Sequence, residues 1–206
     1  MRVDGNRVFQ YAIIGMVLLL LAYPVMGQGQ SSYLEYYGKN LEMNNIGMGI
    51  LGGWALANIS IGAYGWSQQS GQSSYFHQMN LFWNTVNLGI AGFALYNNLT
   101  SDYALLPGEE LLEMQEKTQR LFLINAGLDV AYVATGFFLK YLAPKYPKNA
   151  DRLKGYGNSV ILQGSFLFVF DLVMYGLHRG HRIDFLNQLS FAPMQEAWGL
   201  ALSFQF

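Results

Sequence analysis

The chain has 206 residues, of which 12% are charged, and its formal net charge at pH 7 is −1. A near-neutral chain without a basic face is not expected to bind nucleic acid, and the absence of cysteine excludes disulfides, thiolate metal sites and cysteine nucleophiles. Residues 43–101 contain no Asp, Glu, Lys or Arg, whereas about a quarter of an average soluble domain is charged. This composition indicates a membrane protein whose main partner is the lipid bilayer.

The N-terminus has the pattern of an export signal. Two arginines precede an apolar run over residues 11–23, and small residues at 25–27 offer a cleavage site. We therefore predict a signal peptide over residues 1–27, with an uncleaved signal anchor as the alternative. In both cases residue 30 lies outside the cytoplasm.

Residues 28–46 are predicted to form an interfacial helix. Ser32 and Glu35 fit a capping box. The tyrosines that follow, together with Leu41, suit the headgroup level of a bilayer.

Four apolar segments follow, each close to the roughly 20 residues that a helix needs to cross a bilayer. They predict an all-α membrane protein, a four-helix transmembrane bundle within residues 47–180. The predicted spans cover residues 47–67, 76–97, 119–141 and 157–178.

The charges of the loops predict the orientation. Residues 140–154 carry five Lys or Arg and one Asp, whereas residues 102–120 are mainly acidic. Because Lys- and Arg-rich loops stay in the cytoplasm, the loop 142–156 is predicted to be cytoplasmic. Both mature termini are then periplasmic, in the inner membrane of a Gram-negative bacterium. Arg179 and Arg182 lie on the opposite side and run against this rule.

The tail, residues 181–206, differs from the rest of the chain. From Trp198 to Phe206 apolar residues alternate with small or polar ones, and with residues 185–191 and a turn near Pro193 they predict a β-hairpin or strand. Its apolar ridge is expected to dock on the bundle or on a protein partner. The same ending resembles the last strand of an outer-membrane barrel, so a small outer-membrane β-barrel is an alternative architecture, although residues 76–97 and 119–141 have a helical period.

Polar side chains recur at helical spacing inside the predicted spans. Because polar groups facing lipid are costly, these stripes are expected to converge in the interior of the bundle, with the two aspartates near mid-depth. The predicted binding residues are Asp129, Asp171, Asn58, Asn84, Asn87, Asn125 and His77.

Ionisable residues inside a membrane are candidate functional sites. Asp129 and Asp171, surrounded by amides, can bind a small cation, a proton or a lipid headgroup. If the two carboxyl groups lie close together, one of them is expected to carry a proton. The alternative is a structural role, in which the polar groups join helices by hydrogen bonds.

Two other motifs carry little chemistry. Residues 47–52 match GxGxxG, but no strand precedes them, so they predict a small-residue face for helix packing. His178 and His181 are three residues apart, but no third metal ligand is evident. We therefore predict no catalytic residue, no metal and no cofactor. Trp54, Trp66 and Trp83 are predicted to be interface anchors and packing residues.

Three segments resemble an uncharacterised family of small integral membrane proteins of Bacteroidota: residues 77–93, 124–136 and 152–171. The resemblance implies a multi-span helical fold and a Gram-negative envelope location, and it implies no activity. The predicted function is a non-enzymatic membrane component that binds at the Asp/Asn cluster. The alternatives are a structural or assembly subunit of an envelope complex and a membrane-embedded enzyme.

Overall fold

The computed structural model describes the backbone of residues 5–191 and the side chains of residues 29–189. No strand occurs among these residues, so the all-α prediction is confirmed and the β-barrel alternative is wrong. Two short 3-10 turns, Ala143–Lys145 and Pro147–Asn149, separate the last two helices. The four helices are α1 (Gly5–Gln68), α2 (Gly71–Thr100), α3 (Gly108–Leu142) and α4 (Ala150–Phe191).

Three of the four helices contain stretches that are long and apolar enough to cross a membrane, which are Gly29–Gln68, Gly108–Lys145 and Pro147–Leu189. Three of the four predicted spans thus lie within helices that are long and apolar enough to cross a membrane. The remaining one, within α2, has no charged residue but carries amides along its buried face, and these lower its hydropathy. Its outward face is apolar and includes Phe82, Val86 and Ile90.

The first 18 described side chains belong to the same helix as the first predicted span. No proline interrupts residues 25–106, and α1 continues until the turn before Gly71, whose φ of 60° favours glycine. Tyr36, Tyr37 and Leu41 are buried in one cluster with residues of α3 and α4. Residues 28–46 therefore do not form a separate helix but belong to the same continuous helix as the first predicted span. The predicted signal peptide lies outside the residues whose side chains are described.

The end of α4 corrects one part of the predicted tail. Residues 185–191 are helical, because Phe185 packs on the rings of Tyr33 and Tyr36 and no breaker precedes Pro193. The strand predicted for these seven residues is wrong. The alternating segment 198–206 lies outside the described residues.

The helices form two antiparallel hairpins, α1 with α2 and α3 with α4, which meet mainly where α2 packs on α4. Glycines permit the closest approaches: a Cβ atom on Gly157 would lie 2.6 Å from the carbonyl oxygen of Gly136. Within the described residues, the backbones of α2 and α3 stay more than 8 Å apart, and side chains such as Trp83 and Tyr132 meet across the space between them. This arrangement leaves a gap along one side of the bundle.

The connections lie at the two ends of the bundle. Gly71, at the start of α2, lies next to Asp151 in the first turn of α4, so the α1–α2 turn and the basic α3–α4 connection share one end. At the other end Gln30 donates a hydrogen bond of 2.8 Å to the carbonyl oxygen of Leu106. The basic loop and the acidic start of α3 are therefore at opposite ends.

Candidate functional site

A set of side-chain hydrogen bonds joins α1, α2 and α4 inside the bundle. The Asn80 side-chain oxygen accepts hydrogen bonds of 2.8 Å from both Ser159 Oγ and Gln163 Nε2. Trp54 Nε1 donates to Gln163 Oε1 at 2.9 Å, and Asn58 Nδ2 donates to the carbonyl oxygen of Trp54 at 2.9 Å. We call these five residues the amide network. Their bonds satisfy polar groups that would otherwise be buried at a cost, so the network cross-links the helices.

Two further asparagines extend the polar face of α2 beyond the amide network. Asn84 Nδ2 donates to the carbonyl oxygen of Asn80 at 2.8 Å, and Asn87 Nδ2 approaches Asn84 Oδ1 at 3.5 Å. All three amides are buried. The predicted polar stripe of α2 therefore faces the interior, as expected from its helical spacing.

Asp129 of α3 and Asp171 of α4 form a buried pair. The two residues are 2% and 5% exposed, so both carboxyl groups are held away from water. Asp129 Oδ2 is buried and has no hydrogen-bond partner among the described residues. An unpaired buried acceptor carries a desolvation penalty, so this oxygen is the polar atom in the site that a ligand would satisfy.

The Asp pair lies in the wall of a cavity of about 400 Å³, which we call the acidic pocket. Most of its lining is aliphatic or aromatic, and none of its lining residues is Lys, Arg or His. All four helices contribute to it: Met48, Leu51, Trp83, Val86, Asn87, Ile90, Phe122, Asn125, Leu128, Asp129, Tyr132, Leu167, Phe170 and Asp171.

The lining of the acidic pocket includes exposed residues on both edges of the gap between α2 and α3, among them Val86 and Leu128. Trp83 and Tyr132 meet edge to face across this gap, with 4.9 Å between ring centroids. Asn125 lies exposed on α3, lines the pocket and makes no hydrogen bond to another described residue. Trp83 thus forms part of the cavity wall, whereas the sequence predicted only an interface anchor or packing residue.

The structure divides the seven predicted binding residues into three groups. Asp129, Asp171, Asn87 and Asn125 line the acidic pocket. Asn58 belongs to the amide network and Asn84 to its continuation along α2. His77 lies elsewhere, near the start of α2, where its ring faces Gly65 of α1.

A second buried polar cluster was not predicted as a unit. His178 is fully buried, and its Nδ1 lies 2.6 Å from Asn40 Oδ1. Gln115 Nε2 donates to the carbonyl oxygen of His178 at 2.9 Å. The imidazole stacks on Phe122, which also lines the acidic pocket. The sequence did not reveal this cluster, because Asn40 and Gln115 lie outside the segments predicted to span the membrane.

The two histidines that raised the question of a metal have separate partners. His181 Nε2 lies 3.0 Å from the carbonyl oxygen of Tyr36 and its ring stacks on that tyrosine, whereas His178 pairs with Asn40. Among the side chains that the structure describes, no group of three or more His, Cys, Asp or Glu residues is arranged to hold a metal ion.

Comparison with known proteins gives a family and no activity. No curated protein and no solved structure matches the chain significantly. A family model matches residues 50–172, a range that includes the amide network and both aspartates of the acidic pocket. The predicted membership in an uncharacterised family is confirmed. The chain belongs to the family of unknown function DUF6992.

Proposed function

We propose that this chain is a non-enzymatic integral membrane protein that binds a small cation or a cationic headgroup in the acidic pocket. The observation that carries the proposal is Asp129 Oδ2, a buried carboxyl oxygen without a partner in the wall of a cavity of about 400 Å³. A bound hydrogen-bond donor or cation would remove the cost of burying this atom.

The charge of the pair favours a ligand with a single positive charge. Two like charges buried in one small pocket repel each other, so we expect one of the two carboxyl groups to carry a proton. The pair then carries one negative charge. Because the lining of the pocket contains no basic side chain, this charge has no counter-ion within the site.

The proposal includes four spans in the inner membrane. α2 is 30 residues long, has no charged residue and turns its amides inward and its apolar residues outward, which is the pattern of a helix in lipid. The distribution of positive charge supports a cytoplasmic position for the basic connection before α4, and a periplasmic position for the other end and both mature termini. Residues 1–27 are proposed to act as the export signal.

Native mass spectrometry of the protein released gently from its own membrane tests the proposal. Wild-type protein is expected to keep a stoichiometric small adduct, and the double variant Asp129→Asn/Asp171→Asn is expected to lose it while still accumulating. The matched control is Glu113→Gln, which removes a carboxylate from an exposed ion pair with Lys117. Absence of any adduct from the wild type, or an adduct that survives in the double variant, would contradict the proposal.

A structural or assembly role is the second candidate, and the amide network favours it. Its hydrogen bonds account for Asn58, Asn80 and Gln163 without any ligand. In that case both Asp→Asn changes would leave function near normal, or would reduce function only together with the amount of protein.

A further inference from the structure

We infer that the ligand of the acidic pocket is an amphiphile that carries an ammonium group and no phosphate, and that it enters sideways from the bilayer between α2 and α3. This inference rests on the proposed function and specifies the chemical class of the ligand.

The route follows from the position of the pocket. Its lining residues come from the four helices, and none comes from a described connection at either end of the bundle. The gap between α2 and α3 is the side on which the backbones of neighbouring helices stay apart, and Val86 and Leu128 on its two edges are 63% and 49% exposed. Because these outward surfaces are apolar, access through the gap is access from lipid.

The polar groups of the pocket select the headgroup. The carboxyl pair and the side-chain oxygens of Asn87 and Asn125 all accept hydrogen bonds, and no lining residue is Lys, Arg or His. A phosphate would meet a negative charge without any basic partner, which is unfavourable at low dielectric. An ammonium group instead supplies a positive charge and donors, and the free Asp129 Oδ2 and the unbonded Asn125 amide can accept them.

The remaining lining suits the rest of such a molecule. Four aromatic rings, those of Trp83, Tyr132, Phe122 and Phe170, surround the polar wall. Aromatic faces attract ammonium groups, and this attraction grows when water is excluded. Aliphatic side chains on all four helices complete the surface, which fits an alkyl chain that leaves through the gap. The cavity volume is in the range of sites that hold small organic ligands.

Three probes with the same chain and different heads test the inference: dodecylamine, 1-dodecanol and dodecyl phosphate. The full chain is placed in phosphatidylcholine nanodiscs, and its melting temperature is measured against the mole fraction of each probe. A ligand that binds only the folded state stabilises it by RT ln(1 + L/Kd), where L is the concentration of free ligand. We expect a saturable rise in melting temperature with dodecylamine alone, absent in Asp129→Asn/Asp171→Asn and retained in Glu113→Gln.

A variant at the opening tests the route. Val86→Trp places a larger ring at the edge of the gap and is expected to weaken the effect of dodecylamine at least tenfold in apparent affinity. Ile61→Trp is the matched control, because Ile61 is similarly exposed on α1 and does not line the pocket. Equal effects of the two tryptophan variants would overturn the lateral route.

Short probes separate the failure of this inference from the failure of the proposed function. One outcome is that sodium or ethylammonium stabilises the wild type through the two aspartates while dodecylamine does no more. In that case the inference of an amphiphilic ligand is wrong and the proposed cation site is supported. Equal stabilisation by dodecanol or dodecyl phosphate also overturns the choice of headgroup. If no cation of either length stabilises the protein in an aspartate-dependent way, the proposed function itself fails.

Discussion

Asn80 of α2 and Gln163 of α4 are joined by a hydrogen bond of 2.8 Å at the point where the two helical hairpins pack together. Both side chains are buried, and Gln163 also accepts from the indole of Trp54 in α1. One glutamine thus connects three helices. The stability of the bundle is expected to depend on it.

Gln163→Leu is predicted to destabilise the bundle. The change leaves the Trp54 indole without its acceptor and removes one donor from Asn80, and an unsatisfied buried polar group costs about 1–3 kcal/mol. The measurement is the free energy of unfolding in mixed micelles as the fraction of dodecyl sulfate is raised. Asn97→Leu, on an exposed position of α2, is the control and should change it little. Equal stability of the two variants would show that the network contributes nothing.

Gly157→Ala is predicted to force α3 and α4 apart. The new methyl group would lie 2.6 Å from the carbonyl oxygen of Gly136, and backbone cannot move aside as a flexible side chain can. Overpacking of this kind costs about 1–3 kcal/mol. Gly127→Ala is the matched control, since nothing lies within 4 Å of its Cβ position and alanine favours the helix by about 0.5–1 kcal/mol. A Gly157→Ala protein as stable as Gly127→Ala would contradict the close contact.

His178→Leu is predicted to lower stability by about 1–3 kcal/mol, because Asn40 Oδ1 loses its partner inside the protein. The double variant Asn40→Leu/His178→Leu removes both polar groups and is expected to recover part of the loss. The coupling between the two sites is read from a double-mutant cycle of unfolding free energies. Simple additivity of the two single changes would show that the pair does not interact.

Single cysteines can report the proposed orientation, because the natural chain contains none. Ala104→Cys and Lys148→Cys lie on exposed positions of the two opposite connections. In intact spheroplasts a membrane-impermeant maleimide is expected to label position 104, and to label position 148 only after lysis. Labelling of 148 but not 104 in intact spheroplasts would reverse the orientation. Equal labelling of both would contradict two connections on opposite sides of a membrane.

Helical spacing predicted most of the inward-facing polar residues, although Asn125, predicted on the inward face of α3, is exposed. The stripe from Asn80 to Asn87 on α2, and Asp129 and Asp171 on α3 and α4, are buried as the pattern required. The spacing of polar residues within each helix does not determine which helices pack together. For this reason the sequence did not separate the amide network from the acidic pocket, nor predict the gap between α2 and α3.

The errors have local physical causes. Residues 28–46 were separated from the first span because their tyrosines and charges suit an interface, but a helix continues where no breaker stops it and where its aromatic face finds partners on α3 and α4. Residues 185–191 are a short apolar run whose period alone does not distinguish a strand from a helix. The packing of Phe185 on Tyr36 stabilises the helical conformation of this run.

The central claim is that one of the two aspartates, Asp129 or Asp171, is protonated in a pocket that is reached from the bilayer. Dicyclohexylcarbodiimide tests it directly, because this lipid-soluble reagent modifies protonated carboxyl groups that it can reach from the membrane. Peptide mapping by mass spectrometry is expected to find one modification per chain, on Asp129 or Asp171, at a rate that dodecylamine reduces. Unmodified aspartates at both positions, in protein whose exposed Glu113 reacts with a water-soluble carbodiimide, would contradict the claim.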